Sequence, residues 1–183
     1  TEAAKSCNHY QSNLEGPSRG RGVASGYWVN AGLTSSVVAR LNADGTVTLQ
    51  EGSTDIGGTR TSIAMQLAEV LGIAIEDVIP SVADTDSVGY TEVTGGSRTT
   101  FAAGLAAYNA GQKIREQMLE QVSELWKVDK GNVLLDNGVF STTNGTSKTM
   151  SIKELASTLS TKGIDIGTRE TVTPQNHGGA YAT

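Results

Sequence analysis

The chain has 183 residues, 37% of them hydrophobic, and a net charge of −5, which allows one buried core and speaks against a nucleic-acid surface, since its Lys and Arg residues form no cluster. The single Cys7 excludes an internal disulfide and a thiolate metal centre, and leaves the redox compartment open. No run of residues reaches the length of a membrane span, and 22 glycines predict many tight loops.

Residues 1–21 are polar and irregular, with Pro17 and a Ser-Arg-Gly-Arg-Gly run, and read as a linker or tail. Cys7 and His9 lie close together there, but two potential ligands make no metal site and an exposed tail is the simpler reading. Three segments rich in β-branched and aromatic residues follow, Val23–Val29, Ser36–Leu41 and Val47–Gln50. The turn Asn42-Ala43-Asp44-Gly45 joins the last two, so an antiparallel meander is expected. Ile63, Leu67, Val70 and Leu71 fall on one stripe of a helix over Thr59–Leu71 that Gly72 stops. Val78–Ala83, interrupted by Pro80, reads as an edge strand, and Asp84–Val93 as a solvated loop whose Asp84, Asp86 and Glu92 offer a weaker metal reading. From Phe101 to Leu125 apolar residues keep helical spacing for about seven turns. Its first half is slender, with Ala102, Ala103, Gly104, Ala106, Ala107, Ala110 and Gly111, so a backbone or a ligand can come close.

Beyond Trp126 the pattern predicts a hairpin of Asn132–Leu135 and Val139–Ser141 through Asp136-Asn137-Gly138. A helix over Ser151–Leu159 follows, with Glu154 completing a Ser-x-x-Glu capping box. The sequon Asn144-Gly145-Thr146 is read as chance, and the tail from Gly163 holds Pro174 and His177 without evident partners. The expected fold class is α+β: an antiparallel sheet packed by two main helices, with a linker over 1–21, a core over 22–127 and a small α+β appendage over 128–173 in a domain of 22–183. The start at Thr1 and the strand-like close at Gly178–Thr183 suggest a piece of a longer protein.

Two glycine-rich turns run straight into the two main helices. The first includes Gly57, Gly58, Thr59, Arg60 and Thr61, the second Gly95, Gly96, Ser97, Arg98 and Thr99. Each offers backbone amides beside paired glycines, then hydroxyls, then an Arg in the first helical turn. A helix start is already positive, so an Arg there favours a nearby anion, and the pair reads as a phosphate cradle built twice. Ser and Thr are also ordinary helix N-caps, which leaves simple capping as the competing reading. Neither turn matches a P-loop or a dinucleotide fingerprint. With one histidine in each tail, no serine–histidine–acid arrangement can be argued.

The succession Gly52-Ser53-Thr54-Asp55-Ile56-Gly57-Gly58-Thr59-Arg60-Thr61, Leu71-Gly72-Ile73, Asp84-Thr85-Asp86 and Gly95-Gly96-Ser97-Arg98-Thr99-Thr100 resembles the molybdopterin-binding subunit of the xanthine dehydrogenase and aldehyde oxidase family, over roughly residues 20–140. The resemblance implies that the two loops grip the pyrophosphate and pterin of molybdopterin, or of molybdopterin cytosine dinucleotide, carrying molybdenum. It further implies hydroxylation, with oxygen from water, of an aldehyde or N-heterocycle carbon, and electron transfer through iron–sulfur clusters and FAD on other subunits or domains. Many members carry Gln in the first loop at the place of Gly57. The family's general base is a Glu in a Gly-x-Gly-Glu motif, and here no Glu follows a Gly. No catalytic or metal-ligating residue is therefore assigned within the 183 residues, which are expected to be inactive in isolation. Expected partners are the remainder of the molybdenum subunit, iron–sulfur and flavin subunits and a small-molecule substrate, with neither nucleic acid nor membrane. The compartment is open, the cytoplasm being favoured over the periplasm. The alternative is a non-catalytic anion- or nucleotide-binding module.

Overall fold

The computed structural model describes residues 2, 6, 16–20, 24, 26–82, 84–143, 147–175 and 180–182. The Cys7 and His9 pair, the sequon at 144–146 and His177 lie outside them. The strands are β1 (Gly26–Trp28), β2 (Ser35–Leu41), β3 (Val47–Glu51), β4 (Val78–Val82), β5 (Val133–Asp136), β6 (Val139–Thr142), β7 (Thr149–Ser151), β8 (Gly167–Val172) and β9 (Ala180–Ala182). The helices are α1 (Thr59–Leu71), α2 (Thr99–Trp126) and α3 (Ile152–Thr161). The chain is α+β, as the sequence predicts.

The main sheet has the order β4-β3-β2-β8. Its centre is the expected β2–β3 hairpin, whose Asn42–Gly45 turn places Gly45 at φ +89°, a value open to glycine. Around this hairpin the expected antiparallel meander is modified twice. β1 pairs with β9, Gly26 opposite Ala182, and not with β2. The place beside β2 goes to β8, a strand of polar sequence whose Glu170 is buried against the Lys113 ammonium of α2 at 2.7 Å. On the other side β4 runs parallel to β3, because α1 carries the chain back across the sheet between them. Pro80 sits on this edge strand, where its missing N–H breaks no ladder.

One continuous core joins the sheet to both helices. Val37, Ala39, Val47 and Leu49 project from β2 and β3 onto Ile63, Leu67 and Leu71 of α1 and Ala103, Ala106, Ala107 and Ile114 of α2. The slender half of α2 admits α1: a Cβ at Gly111 would lie 2.9 Å from Val70 Cγ1, and one at Gly104 would strike the Gln66 side chain. The same core continues through Met118 and Val122 to Leu135, Phe140, Leu155 and Leu159 of the C-terminal hairpin and helix. The hairpin turns on Asn137 and Gly138, both at positive φ, and α3 opens with the complete Ser151–Glu154 capping box. The α1–α2 contact fixes how far apart the two helix N-termini stand.

Gly111→Leu is accordingly expected to destabilise the chain by about 2 kcal/mol, a fall of several degrees in Tm, because helix propensity gained is outweighed by overpacking against Val70 and Leu67. Thermal denaturation followed by circular dichroism measures it; an unchanged Tm refutes the close α1–α2 contact.

Candidate functional site

The two glycine-rich turns lie side by side at the N-terminal ends of α1 and α2, joined by the Thr54 and Thr94 hydroxyls 3.2 Å apart. Their chemistry differs despite the likeness of sequence. In the first turn Gly57 and Gly58 take φ +60° and +86°, and nothing lies within 4 Å of a Cβ built on either. Asp55 then folds back on the helix start. Its Oδ1 accepts from the Arg60 N–H at 3.2 Å and from Thr59 Oγ1 at 3.3 Å, while its Oδ2 lies 3.7 Å from Arg60 Nε. The α1 N-terminus thus already has its carboxylate, and the charge of Arg60 is answered within the turn. Thr61 is exposed beside it.

The second turn is anchored from beneath by Arg98, whose relative exposure is 0%. Arg98 Nε donates to Gly32 O at 2.7 Å, Nη1 to Glu92 O at 3.0 Å and Val93 O at 2.9 Å, and Nη2 to Thr34 O at 2.7 Å and to Ser35 Oγ. A guanidinium carries five N–H donors, and all five are spent inside the chain. The expectation that Arg98 meets a ligand phosphate is corrected by this geometry: the residue is an internal clamp between the segments 32–35 and 92–98. Gly96, at φ +64°, completes the anchor, since its carbonyl accepts from the Ala31 N–H at 2.9 Å and a Cβ on it would lie 2.8 Å from Ala31 Cβ.

Above this clamp the α2 N-terminus carries no side-chain cap and no acidic residue in its first turn. It opens on a hollow of about 300 Å³ lined by Ile56, Thr59, Thr94, Gly95, Ser97, Thr99 and Thr100, with Arg98 as its floor. Gly95 is exposed and its would-be Cβ meets nothing within 4 Å. The arrangement presents unclaimed helix N–H groups and hydroxyls to whatever enters, which suits an anion. A larger groove of about 930 Å³ continues outward between α1 and α2 along Met65, Phe101, Leu105 and Tyr108, sharing Ser97 and Thr100 with the hollow. The loop carboxylates serve the backbone: Asp84 accepts from Ser87 Oγ and Asp86 N–H, and Glu92 Oε2 accepts from Thr34 N–H.

The sequence shows no sign of a role for Glu51, and Ser53 enters its reading only as part of the first turn's succession. Both are buried, and Glu51 Oε2 and Ser53 Oγ have no hydrogen-bond partner. Burial pushes the Glu51 carboxyl up to about 7, the nearby Asp55 adding to the effect and Arg60 opposing it. The alternation Val47, Leu49, Glu51 signals this burial, since the carboxyl falls in phase with two core residues.

Two outcomes follow from these contacts. Arg98→Met leaves the Gly32, Glu92 and Val93 carbonyls without donors, Thr34 O keeping the Glu92 N–H, and is expected to lower stability by roughly 3–5 kcal/mol in urea denaturation, with Arg98→Lys recovering part of the loss. Glu51, whose folded-state pKa is raised, binds more protons folded than unfolded between pH 4.5 and about 7, so stability falls as pH rises through that window. Replacing it with Gln should flatten this decline, which for a shift of this size amounts to about 3 kcal/mol.

The sequence profile of the molybdopterin cofactor-binding domain matches residues 2–182. The xanthine dehydrogenase molybdenum-binding subunit of Escherichia coli O157:H7 is 28% identical over 158 residues, 82% of this chain and 21% of that protein. The aldehyde oxidoreductase molybdenum-binding subunit PaoC of Escherichia coli strain K12 is 34% identical over 104 residues, 56% of this chain and 14% of that protein. The chain therefore spans about a fifth or less of the length of these relatives. Reconstituted CO dehydrogenase from Oligotropha carboxidovorans superimposes with a TM-score of 0.72 at 25% identity, covering 86% of this chain and 22% of the other. Quinoline 2-oxidoreductase from Pseudomonas putida 86 shares the fold with a TM-score of 0.68 at 20% identity, covering 78% of this chain and 19% of the other. With its profile matched almost end to end, the chain belongs to the molybdopterin cofactor-binding domain family of the xanthine dehydrogenase and aldehyde oxidoreductase molybdenum-binding subunits.

Proposed function

We propose that the hollow between the two glycine-rich turns holds the phosphate-bearing end of molybdopterin, as one wall of the cofactor pocket in a molybdenum hydroxylase. The observation that carries this reading is the uncapped α2 N-terminus opening on a hollow that has Thr and Ser among its lining residues, in a chain of this family. The available groups fit an anion: helix N–H donors, the hydroxyls of Thr94, Ser97, Thr99 and Thr100, and a bare backbone at Gly95. The open sides of Gly57 and Gly58 let a flat group approach the first turn closely. Arg98 acts beneath the site by holding the second turn in shape, and Asp55 holds the first. Arg60 stays half exposed beside the first turn, with Asp55 at 3.7 Å.

When bound, the cofactor supplies oxygen-transfer and two-electron chemistry; this chain's own residues bind and orient it. In the longer protein the reaction is hydroxylation of an aldehyde or N-heterocycle carbon. The general base lies on a segment other than these 183 residues, and iron–sulfur and flavin partners take the electrons. Molybdopterin and its cytosine dinucleotide both present a phosphate to such a hollow. Among the described residues no helix is long and apolar enough to cross a membrane.

Gly95→Val tests the reading. A Cβ at this position meets no protein atom, so Tm should hold within about 1 °C, as for other substitutions that touch no core, while the side chain fills the hollow. Pterin and molybdenum content of the purified protein should drop at least several-fold. Normal cofactor content in the stable variant would place the phosphate elsewhere.

A further inference from the structure

The hollow at the α2 N-terminus shares Ser97 and Thr100 with the groove of about 930 Å³ between α1 and α2, so the two form one continuous depression. Small-molecule sites occupy roughly 300–1,000 Å³, and the groove falls in that range. Phe101, Leu105 and Tyr108, spaced i, i+4 and i+7, share one face of α2 and line it from that side. Phe101 and Tyr108 are 40% and 46% exposed, and Met65 of α1 is 56% exposed, so two aromatic rings and a thioether stand open beside the hollow. Phe101 lies in the first turn of α2. A group attached to a phosphate at the helix start therefore reaches this stripe within about one turn, ~5 Å.

The polar groups on the α1 side are acceptors. Gln66 Nε2 donates to the Thr100 carbonyl at 3.4 Å, which commits the donor end of the amide to the helix start and leaves Oε1 as its other end. Gly104 makes room for this side chain, since a Cβ there would strike the amide. Glu69, one turn further along α1, is exposed, and no ion pair engages its carboxylate among the described residues. Aromatic faces combined with a carboxylate acceptor suit a flat ring that bears an amine. Glu accepts from the exocyclic amine of cytosine, whereas uracil presents a carbonyl oxygen in that place. We propose that this groove seats the nucleoside half of the cytosine dinucleotide form of the cofactor, its base against Phe101 and its exocyclic amine toward Glu69. This rests on the anion-binding reading above, which puts the diphosphate in the hollow. A cofactor without the nucleotide leaves Phe101 and Tyr108 facing water.

Calorimetry on the 183-residue chain tests this with three probes: inorganic pyrophosphate, cytidine 5′-diphosphate and uridine 5′-diphosphate. The cytidine compound should bind about tenfold more tightly than pyrophosphate, the gain expected of one stacked base, and about fivefold more tightly than the uridine compound. Phe101→Ala should lower cytidine diphosphate affinity about tenfold and leave pyrophosphate unchanged. Glu69→Gln should remove the preference for cytidine over uridine. Circular dichroism checks that Phe101→Ala folds; if it does not, Met65→Ala, at a more exposed side chain of the same groove, is read in its place. Cytidine diphosphate bound no more tightly than pyrophosphate, or equally by native chain and groove variant, overturns the proposal while the anion-binding reading stands. Equal affinity for the two nucleotides in the native chain also overturns it, since the cytosine form is then not selected. Cytidine diphosphate binding that the groove variant weakens, with no binding of pyrophosphate, keeps the groove and removes the hollow. Failure of all three probes to bind at millimolar concentration overturns both readings.

Discussion

A single buried guanidinium holds the functional end of this domain together. The segments 32–34 and 92–94 run through irregular structure, where the Gly32, Glu92 and Val93 carbonyls have no sheet ladder or helix to join, and a buried carbonyl without a donor is unfavourable. The Arg98 fork supplies five donors in fixed directions and reaches these three carbonyls, that of Thr34 and the Ser35 hydroxyl at once. Neighbouring contacts extend the knot, with Ser36 N–H donating to Thr91 Oγ1 and Ser36 Oγ to the Tyr90 carbonyl. The start of β2, the 84–93 loop and the start of α2 therefore move as one body. The second glycine turn can then present its backbone outward without needing a core of its own.

The two turns show how similar sequences come to do different work. Asp55 precedes the first helix at a distance that lets its carboxylate accept the Arg60 N–H, while the Thr59 N–H donates to the Ile56 carbonyl, so two leading N–H groups of that helix have partners within the turn. No acidic residue stands in that place before α2, where the turn is occupied instead by Gly95, Gly96 and Ser97. The positive end of the longer helix is thereby left facing the hollow. An Arg beside each helix start looked like a shared demand for an outside anion. In one case the demand is met by Asp55, and in the other the guanidinium is turned inward on carbonyl oxygens.

Hydrophobic packing sets the distance across which these turns cooperate. The run of Ala and Gly on α2 lets α1 lie against it at Gly111, and both helices rest on β2 and β3. Below the turns the core runs without a break into the C-terminal hairpin, where Arg115 donates to the Val70 and Leu135 carbonyls and ties the end of α1 to β5. The hollow is thus borne on the starts of two packed helices as well as on the turns that precede them.

Local rules acting on nearby residues were legible in the sequence. The limits of α1, the β2–β3 hairpin, the Asn137–Gly138 turn and the Ser151 capping box each depend on interactions within a few positions, so residue type and spacing determine them. The family resemblance and the glycine turns that carry it were legible for the same reason. Three features needed the tertiary structure. β8 takes the place beside β2 that the order of segments gave to β1, and its Glu170 is buried against Lys113, on a helix more than fifty residues earlier. Arg98 points inward because carbonyls more than sixty residues away converge beneath it. Glu51 titrates near neutrality because helix and sheet close over a carboxyl whose strand alternation marks only that it faces inward. Sequence spacing determines which groups are available, and only the fold decides which distant partners consume them.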